Sequence, residues 1–391
     1  MARILVVGSG FAGLSAAARL AKLRHDVTVL ERGSEPGGRL LGVPIGESRW
    51  AVAPDSVTLP GVFRDLFRKS GRTMDALIDI ATIGPRHHVL PARWPRRPVA
   101  FDLPFGTRGA QHHAVLGALG ADAWSPWLDD LNEPWNVLRR TILESVHEGD
   151  ALPEPPLAPA TLERLARGLR DPRLRRLAAD VGGVDATRAP AVLAVWHYVE
   201  RNFGRWSFDG GSAGLAAALV TRLRERRVTI ETGVDARLPD GPETGVLVGG
   251  ELRPADIVVW AAGADPQAPP PAPDRTLTAV RLDRTVLPDD FVVHDRDVVR
   301  GWRSGEGWVL EAPTGVDPLD VLGRRGLDVR SAVTWSGTAP AGPAISELPR
   351  PARSPRPGLW LVGAAAVPGA SLEITGMGTA ALATHLGAAP R

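Results

Sequence analysis

The sequence predicts an α/β chain in which a parallel sheet covered by helices is joined to a second domain of mixed α+β character. Three observations lead there. "RILVVGSGFAGLSAAARL", Arg3 to Leu20, passes from a β-branched strand through glycines into an Ala-rich helix. Near the other end, "GLWLVGAAAVPGASLEITGMGTAALATHL", Gly358 to Leu386, repeats the order of apolar strand, loop and Ala-rich helix. The chain has 391 residues, more than a single hydrophobic core normally organises.

The N-terminal unit carries the most specific signal. Gly8, Gly10 and Gly13 form G-x-G-x-x-G between strand and helix. Gly8 permits a tight turn, Gly10 lets the backbone approach a diphosphate, and Gly13 lets helix and strand pack closely. The free N–H groups of the first helical turn, at Phe11 and Ala12, receive the negative charge. A second strand, "DVTVLE", ends in Glu31, placed to accept from an adenosine ribose hydroxyl. The order of strand, glycines, helix, strand and acid predicts a Rossmann-like dinucleotide site.

The next stretch, "RGSEPGGRL" from Arg32 to Leu40, resembles the flavin-containing amine oxidase and phytoene desaturase superfamily. That family follows the βαβ unit with a GGR motif against the diphosphate of FAD, matched here by Gly37, Gly38 and Arg39. Two glycines let a loop press on the phosphates, and a guanidinium bridges their oxygens bidentately. The resemblance therefore favours FAD over NAD as the cofactor. It extends through "WAVAPDSVTLPGVFRDLFRKSGR", Trp50 to Arg72, and through Asp171 to Leu219. In "VTIETGVDARL", Val234 matches a backbone contact to adenine. "RPADIVVWAAG", Arg253 to Gly263, matches the returning strand. The C-terminal unit then delivers Gly363 and Ala364 to the ribityl side of the flavin.

This resemblance implies a discontinuous architecture. Residues 1–50, 208–264 and 355–391 assemble the FAD domain, and 51–207 with 265–354 form an α+β substrate domain. "ADPQAPPPAPDR", Ala264 to Arg275, is a Pro-rich crossover between them.

For the chemistry, the resemblance offers two branches. Amine oxidases typically hold a water against flavin N5 with a late lysine and frame the amine with paired aromatics. This chain has only Lys22 and Lys69, both early, and one tyrosine, Tyr198. Desaturases need less from the protein, because hydride transfer at N5 belongs to the flavin and the fold supplies position and an apolar tunnel. The expectation is an FAD-dependent oxidoreductase that desaturates, saturates or isomerises a small lipophilic, isoprenoid-like substrate. No side chain is assigned a catalytic role. Trp50, Trp206, Trp335 and Glu373 are the substrate-pocket candidates. Ala51, Ala53 and Ala364 depart from the family, which usually carries Asp at the last position; either Glu373 compensates, or the chain is a non-catalytic family member acting as a binding or scaffold protein.

Composition excludes other classes. The 46 basic and 44 acidic residues leave a formal charge of +2, against a dedicated nucleic-acid protein. Arginines 93, 96 and 97 and those from 164 to 176 read as solvated helix faces. Without any Cys, disulfides, cysteinyl flavin links and Cys-based metal sites are absent. His87-His88 and His112-His113 point in different directions on any regular element, so no metal site is expected. The short apolar stretch Ile4 to Val7 is not a secretory signal, and no apolar run reaches the length of a spanning helix. A cytoplasmic protein is expected, compatible with peripheral membrane contact.

Overall fold

Ile4 and Val6 point to one side of the first strand, Arg3–Val7, and Leu5 and Val7 to the other, and all four are buried. A strand apolar on both faces belongs inside a covered parallel sheet. The computed structural model describes residues 1–91, 98–148, 152–241, 243–263, 273–345, 348 and 352–390, and places it there. Across this sheet the order is Thr229–Thr232, Asp26–Glu31, Arg3–Val7, Ile257–Trp260 and Leu359–Val362, all parallel. Ala352–Arg356, antiparallel to its neighbour, and His147–Glu148 complete the edge. His147–Glu148 lies outside the three segments that supply the parallel strands, and Ala352–Arg356 straddles the start of the last.

One face of the sheet, with Ile4, Val6 and Val259, packs on Leu14 and Leu20 of the helix Phe11–Lys22, on Leu215 and Leu219 of Gly211–Glu225, and on Leu382 of Leu372–Leu386. The other face, with Leu5, Val7, Val258 and Leu361, is covered by Val246 of a three-stranded antiparallel sheet. The helix Pro60–Ser70 buries Phe63, Leu66 and Phe67 completely in the first of these cores.

The second large sheet runs Val333–Pro340, Arg275–Leu282, Gly307–Pro313, Val298–Ser304, Asp290–His294, Arg86–Leu90 and Val99–Leu103. Every neighbouring pair is antiparallel except Asp290–His294 with Arg86–Leu90. Phe291, Val293, Trp308 and Leu310 on one side pack with Val321 and Leu322 of Pro318–Arg324. A helical layer between residues 108 and 203 has its own core, with Trp124, Leu128, Trp135, Leu138, Leu174 and Val199. The α/β class and the added mixed domain agree with the sequence.

Some expectations change. Arg173 is 4% exposed, held by Asp171 and donating to the Leu119 carbonyl, and Arg176 donates to the Asp295 carbonyl at 2.6 Å. This arginine-rich stretch therefore braces the fold as well as facing solvent, because a guanidinium can satisfy buried carbonyls while its stem packs. Arg93, Arg96 and Arg97, and residues 264–272 of the Pro-rich crossover, lie outside the described residues. Among the described residues no helix is long and apolar enough to cross a membrane.

Candidate functional site

The parallel strands end at a cavity of about 1320 Å³ that continues toward the second sheet. Its floor is the glycine turn. Gly8 has φ +95°, a conformation that suits glycine. A Cβ at Gly13 would stand 1.9 Å from the Gly8 carbonyl oxygen, so Gly13 is required for packing and does not line the cavity. A Cβ at Gly10 would meet nothing within 4 Å, so the space beside Gly10 is open toward the cavity it lines. The helix Phe11–Lys22 begins at Gly10 with no side-chain cap and no acid in its first turn. Its uncapped N–H groups and positive dipole end are therefore available to an anion, beside the cavity-lining Phe11 and Ala12.

Glu31 is fixed before any ligand arrives. Its Oε2 accepts from the Ser9 N–H at 2.8 Å and the Ser9 hydroxyl at 2.5 Å, and its Oε1 accepts from the Gly33 N–H at 2.7 Å. Burial opposes the charge, but these donors outweigh it and hold the carboxyl below the ordinary glutamate pKa. Glu31 thus enters the cavity wall as an anion. Ser9, which the sequence reading passed over, is its main partner; its place inside the glycine motif was the available signal.

Gly37 donates to the Ser9 carbonyl at 3.0 Å and is buried, which locks the second glycine loop onto the first. Gly38, at φ +53°, would bring a Cβ within 3.1 Å of the Gly10 Cα. Gly38, Arg32 and Arg39 line the cavity, whereas Gly37 acts from behind it. The Arg39 guanidinium makes no hydrogen bond or ion pair with the described residues, and desolvation lowers its pKa. A guanidinium beside an uncapped helix start, without a carboxylate of its own, is suited to a bound diphosphate.

Val234 also lines the cavity, but its N–H donates to the Glu31 carbonyl at 2.9 Å. The pairing of Thr229–Thr232 with Asp26–Glu31 continues one step further and engages that donor, leaving the carbonyl for a base. Gly363, at φ +61°, would clash through a Cβ with Ala12 at 2.7 Å, and Ala364 follows it on the cavity wall. Glu373 lies in the first turn of Leu372–Leu386 and is 6% exposed. Burial pushes its pKa above the ordinary value despite the Thr58 N–H that it accepts at 2.5 Å and the Thr58 hydroxyl at 3.2 Å.

The tryptophan candidates are corrected. Trp50 is buried against Trp335, with rings stacked 5.6 Å apart and Arg281 over both. Trp206 sits on the strand Trp206–Phe208 and donates to the Phe203 carbonyl. None of the three lines the cavity; Trp196, Trp260 and Trp302 do. Lys22 and Lys69 are exposed and lie away from it. The paired histidines also have separate partners: His87 with Asp102, His88 with His294, His112 with Asp122 and His113 with the Gly109 carbonyl. Among the described residues no group of three ligating side chains could hold a metal.

The wall on the second-sheet side is charged. Arg86 reaches Asp290 at 3.2 Å and Glu200 at 3.4 Å, and Arg205 joins Asp290, Glu200 and the Ser56 hydroxyl. Arg300 joins Asp180 and lies 3.7 Å from Glu311, which also meets Arg275 at 3.1 Å. Sequence reasoning missed this network because its members are scattered from residue 86 to residue 311.

Residues 6–68 match the NAD(P)-binding Rossmann-like domain family. Hydroxyneurosporene desaturase of Cereibacter sphaeroides is 33% identical over 68% of this chain and 57% of its own length. The zeta-carotene-forming phytoene desaturase of Myxococcus xanthus is 30% identical over 66% of this chain and 53% of its own. The matches thus span little more than half the length of these relatives. A redesigned putrescine oxidase shares the fold with a TM-score of 0.64 at 14% identity, covering 98% of each chain. The chain is thus similar in sequence to carotenoid desaturases and shares its fold with a putrescine oxidase.

Proposed function

We propose that this chain is an FAD-dependent oxidoreductase acting on a lipophilic, isoprenoid-like substrate by hydride transfer to or from flavin N5. The observation that carries the reading is the single cavity that joins the glycine cradle to the second sheet. Its volume of about 1320 Å³ exceeds the ~300–1,000 Å³ of pockets for one small ligand. It has room for a dinucleotide and a second molecule. The two matched relatives, both named as carotenoid desaturases, support the substrate class.

In this reading the segments 1–50, 208–264 and 355–391 hold the cofactor, and 51–207 with 265–354 hold the substrate. Gly8, Gly10 and the N–H groups at Phe11 and Ala12 receive the diphosphate, with Gly38 and Arg39 closing over it. Gly13 and Gly37 keep that cradle in shape. Glu31 accepts from the ribose, the Val234 carbonyl meets the adenine, and Gly363 and Ala364 border the ribityl chain. When bound, the flavin supplies the two-electron chemistry. The protein's own part is to position the substrate and exclude water. Trp196, Val292, Trp302, Ile345 and Ile374 give the apolar contact for that task. Lys22 and Lys69 are exposed and do not line the cavity, which leaves the amine oxidase alternative without its water-holding lysine.

The test is the visible spectrum of the purified protein reconstituted with excess FAD, before and after anaerobic addition of isoprenoid substrates. Retained flavin that is bleached by, or reoxidised with, such a substrate is expected. Absence of retained flavin and of any FAD-induced thermal shift would overturn the proposal, and retained flavin inert to every such substrate would favour a non-catalytic binding role.

A further inference from the structure

Asp180, Glu200, Asp290 and Glu311 line the cavity, and each meets an arginine. Glu373 is different. It lines the same cavity from the first turn of Leu372–Leu386, is 6% exposed, and forms no ion pair with the described residues. Its donors are neutral: the Thr58 N–H at 2.5 Å and the Thr58 hydroxyl at 3.2 Å, with the Ser371 hydroxyl and its own N–H beside them. At Glu31 the Ser9 and Gly33 donors overcome burial and lower the pKa, whereas at Glu373 burial prevails and raises it. A carboxylate buried without a cation costs stability. A glutamine would offer Thr58 the same acceptor oxygen with no charge, so bracing Thr58 does not account for a glutamate here. Exchange of a proton does.

Its place is the junction of the two halves of the cavity. On one side, a Cβ at Gly363 would stand 3.4 Å from Thr375, two residues beyond Glu373, so the carboxyl rises beside the turn that carries Gly363 and Ala364. On the other, residues 52–56 and Thr58 line the cavity up to the contact of Ser56 with Arg205 in the charged wall. Resting on the oxidoreductase reading above, we infer that Glu373 is the catalytic base of a desaturation, its carboxylate taking a proton from the substrate carbon next to the one that gives up hydride. The C–H electron pair of the first carbon leaves with the hydride to the flavin, the two-electron oxidant. The C–H pair of the second stays as the new π bond, and its proton ends on Glu373, which returns it to solvent after the product leaves. An allylic carbon suits this division: hydride loss there leaves a delocalised cation, and the adjacent C–H becomes acidic enough for a carboxylate.

Glu373→Gln provides the test, read first without flavin and then with it. The flavin-free variant should melt at pH 8 at or above the wild-type temperature, because the acceptor for Thr58 remains and the cost of the buried carboxyl is gone. After reconstitution, its FAD content should match the wild type. Anaerobic bleaching of the bound flavin by phytoene, ζ-carotene or neurosporene should then slow about 100-fold at saturating substrate, the scale of a lost general base, with the half-saturating concentration unchanged. A flavin-free variant that melts well below wild type would mark the carboxylate as structural and overturn the inference, and so would bleaching at the wild-type rate. Wild-type flavin that none of the three substrates bleaches would instead remove the oxidoreductase reading, and the base with it. The melts need no flavin and the wild-type control needs no variant, so the two failures stay apart.

Discussion

The two ends of the cavity are built by opposite means. At the glycine end, residues 8 to 39 form the site almost entirely from neighbours in sequence, and its shape depends on atoms that are absent: a Cβ at Gly13 or Gly38 would strike backbone. At the second-sheet end, side chains from Arg86, Asp180, Glu200, Arg205, Asp290, Arg300 and Glu311 meet through tertiary folding, and the shape depends on charges that are present. The first kind of site can be recognised in a short motif, and damage to it shows first in cofactor binding. The second is invisible until the chain is folded, and damage to it shows first in stability.

Removing the carboxylate shared by two arginines sharpens this contrast most. Asp290→Ala strands Arg86 and Arg205, and the expected loss is about 3 kcal/mol, read by urea denaturation. The arginines hold the Asp290 carboxyl below its usual pKa against the opposing effect of burial. Its contribution is therefore present above the unfolded aspartate value, ~3.9, and is lost as pH falls through the lower folded value. The gap between wild type and Asp290→Ala should be full at pH 7 and narrow on acidification below the unfolded value; a gap that widens there would break the account of the pair.

Gly13→Ala follows, with about 2 kcal/mol of destabilisation from overpacking and impaired FAD retention. Gly10→Ala meets no protein atom and should melt like wild type without FAD, yet bind FAD more weakly. Thermal melts of the two variants with and without FAD give the comparison, and equal melting of the FAD-free proteins would contradict the roles assigned to the two glycines.

Arg39→Ala should weaken FAD binding by about 2 kcal/mol, the loss of a charge-assisted contact. Arg32→Ala should cost less, because Arg32 lies before the glycine turn rather than within it, and Arg39→Lys should restore only part of the loss. Flavin content after gel filtration orders the three variants, and equal content in Arg39→Ala and Arg32→Ala would count against the diphosphate assignment.

The smallest expected effect is at Ala364. Ala364→Asp should tighten FAD binding by ~1 kcal/mol if a ribityl hydroxyl reaches it, and should weaken binding if the wall has closed around the alanine. A flavin titration reads the sign.

Legibility followed the same division. Gly8, Gly10 and Gly13 could be read from the order of strand, glycines and helix, because each answers a backbone requirement; Glu31 followed from its place at the end of the second strand, and Gly38 from the family resemblance. The strand Leu359–Val362 and helix Leu372–Leu386 were equally plain from their apolar runs. The engagement of the Val234 N–H was not, since it depends on how far Thr229–Thr232 continues its pairing with Glu31. Nor was the choice among tryptophans: Trp50 and Trp335 satisfy each other by stacking, whereas Trp196 and Trp302 reach the cavity only through the placement of a helix and a sheet. Ion pairs between residues such as Arg86 and Asp290 leave no periodic trace at all.

The central claim is that the glycine end binds the adenosine diphosphate half of FAD, and the comparison of FAD with FMN tests it most directly. Both carry the same ring, but FMN lacks the adenylate portion that we propose Gly10, Glu31, Gly38 and Arg39 hold. Titration of the flavin-free protein by fluorescence quenching should give FAD an affinity at least ~100-fold above that of FMN, the equivalent of about 2.7 kcal/mol. Equal affinities, or preference for FMN, would contradict the account.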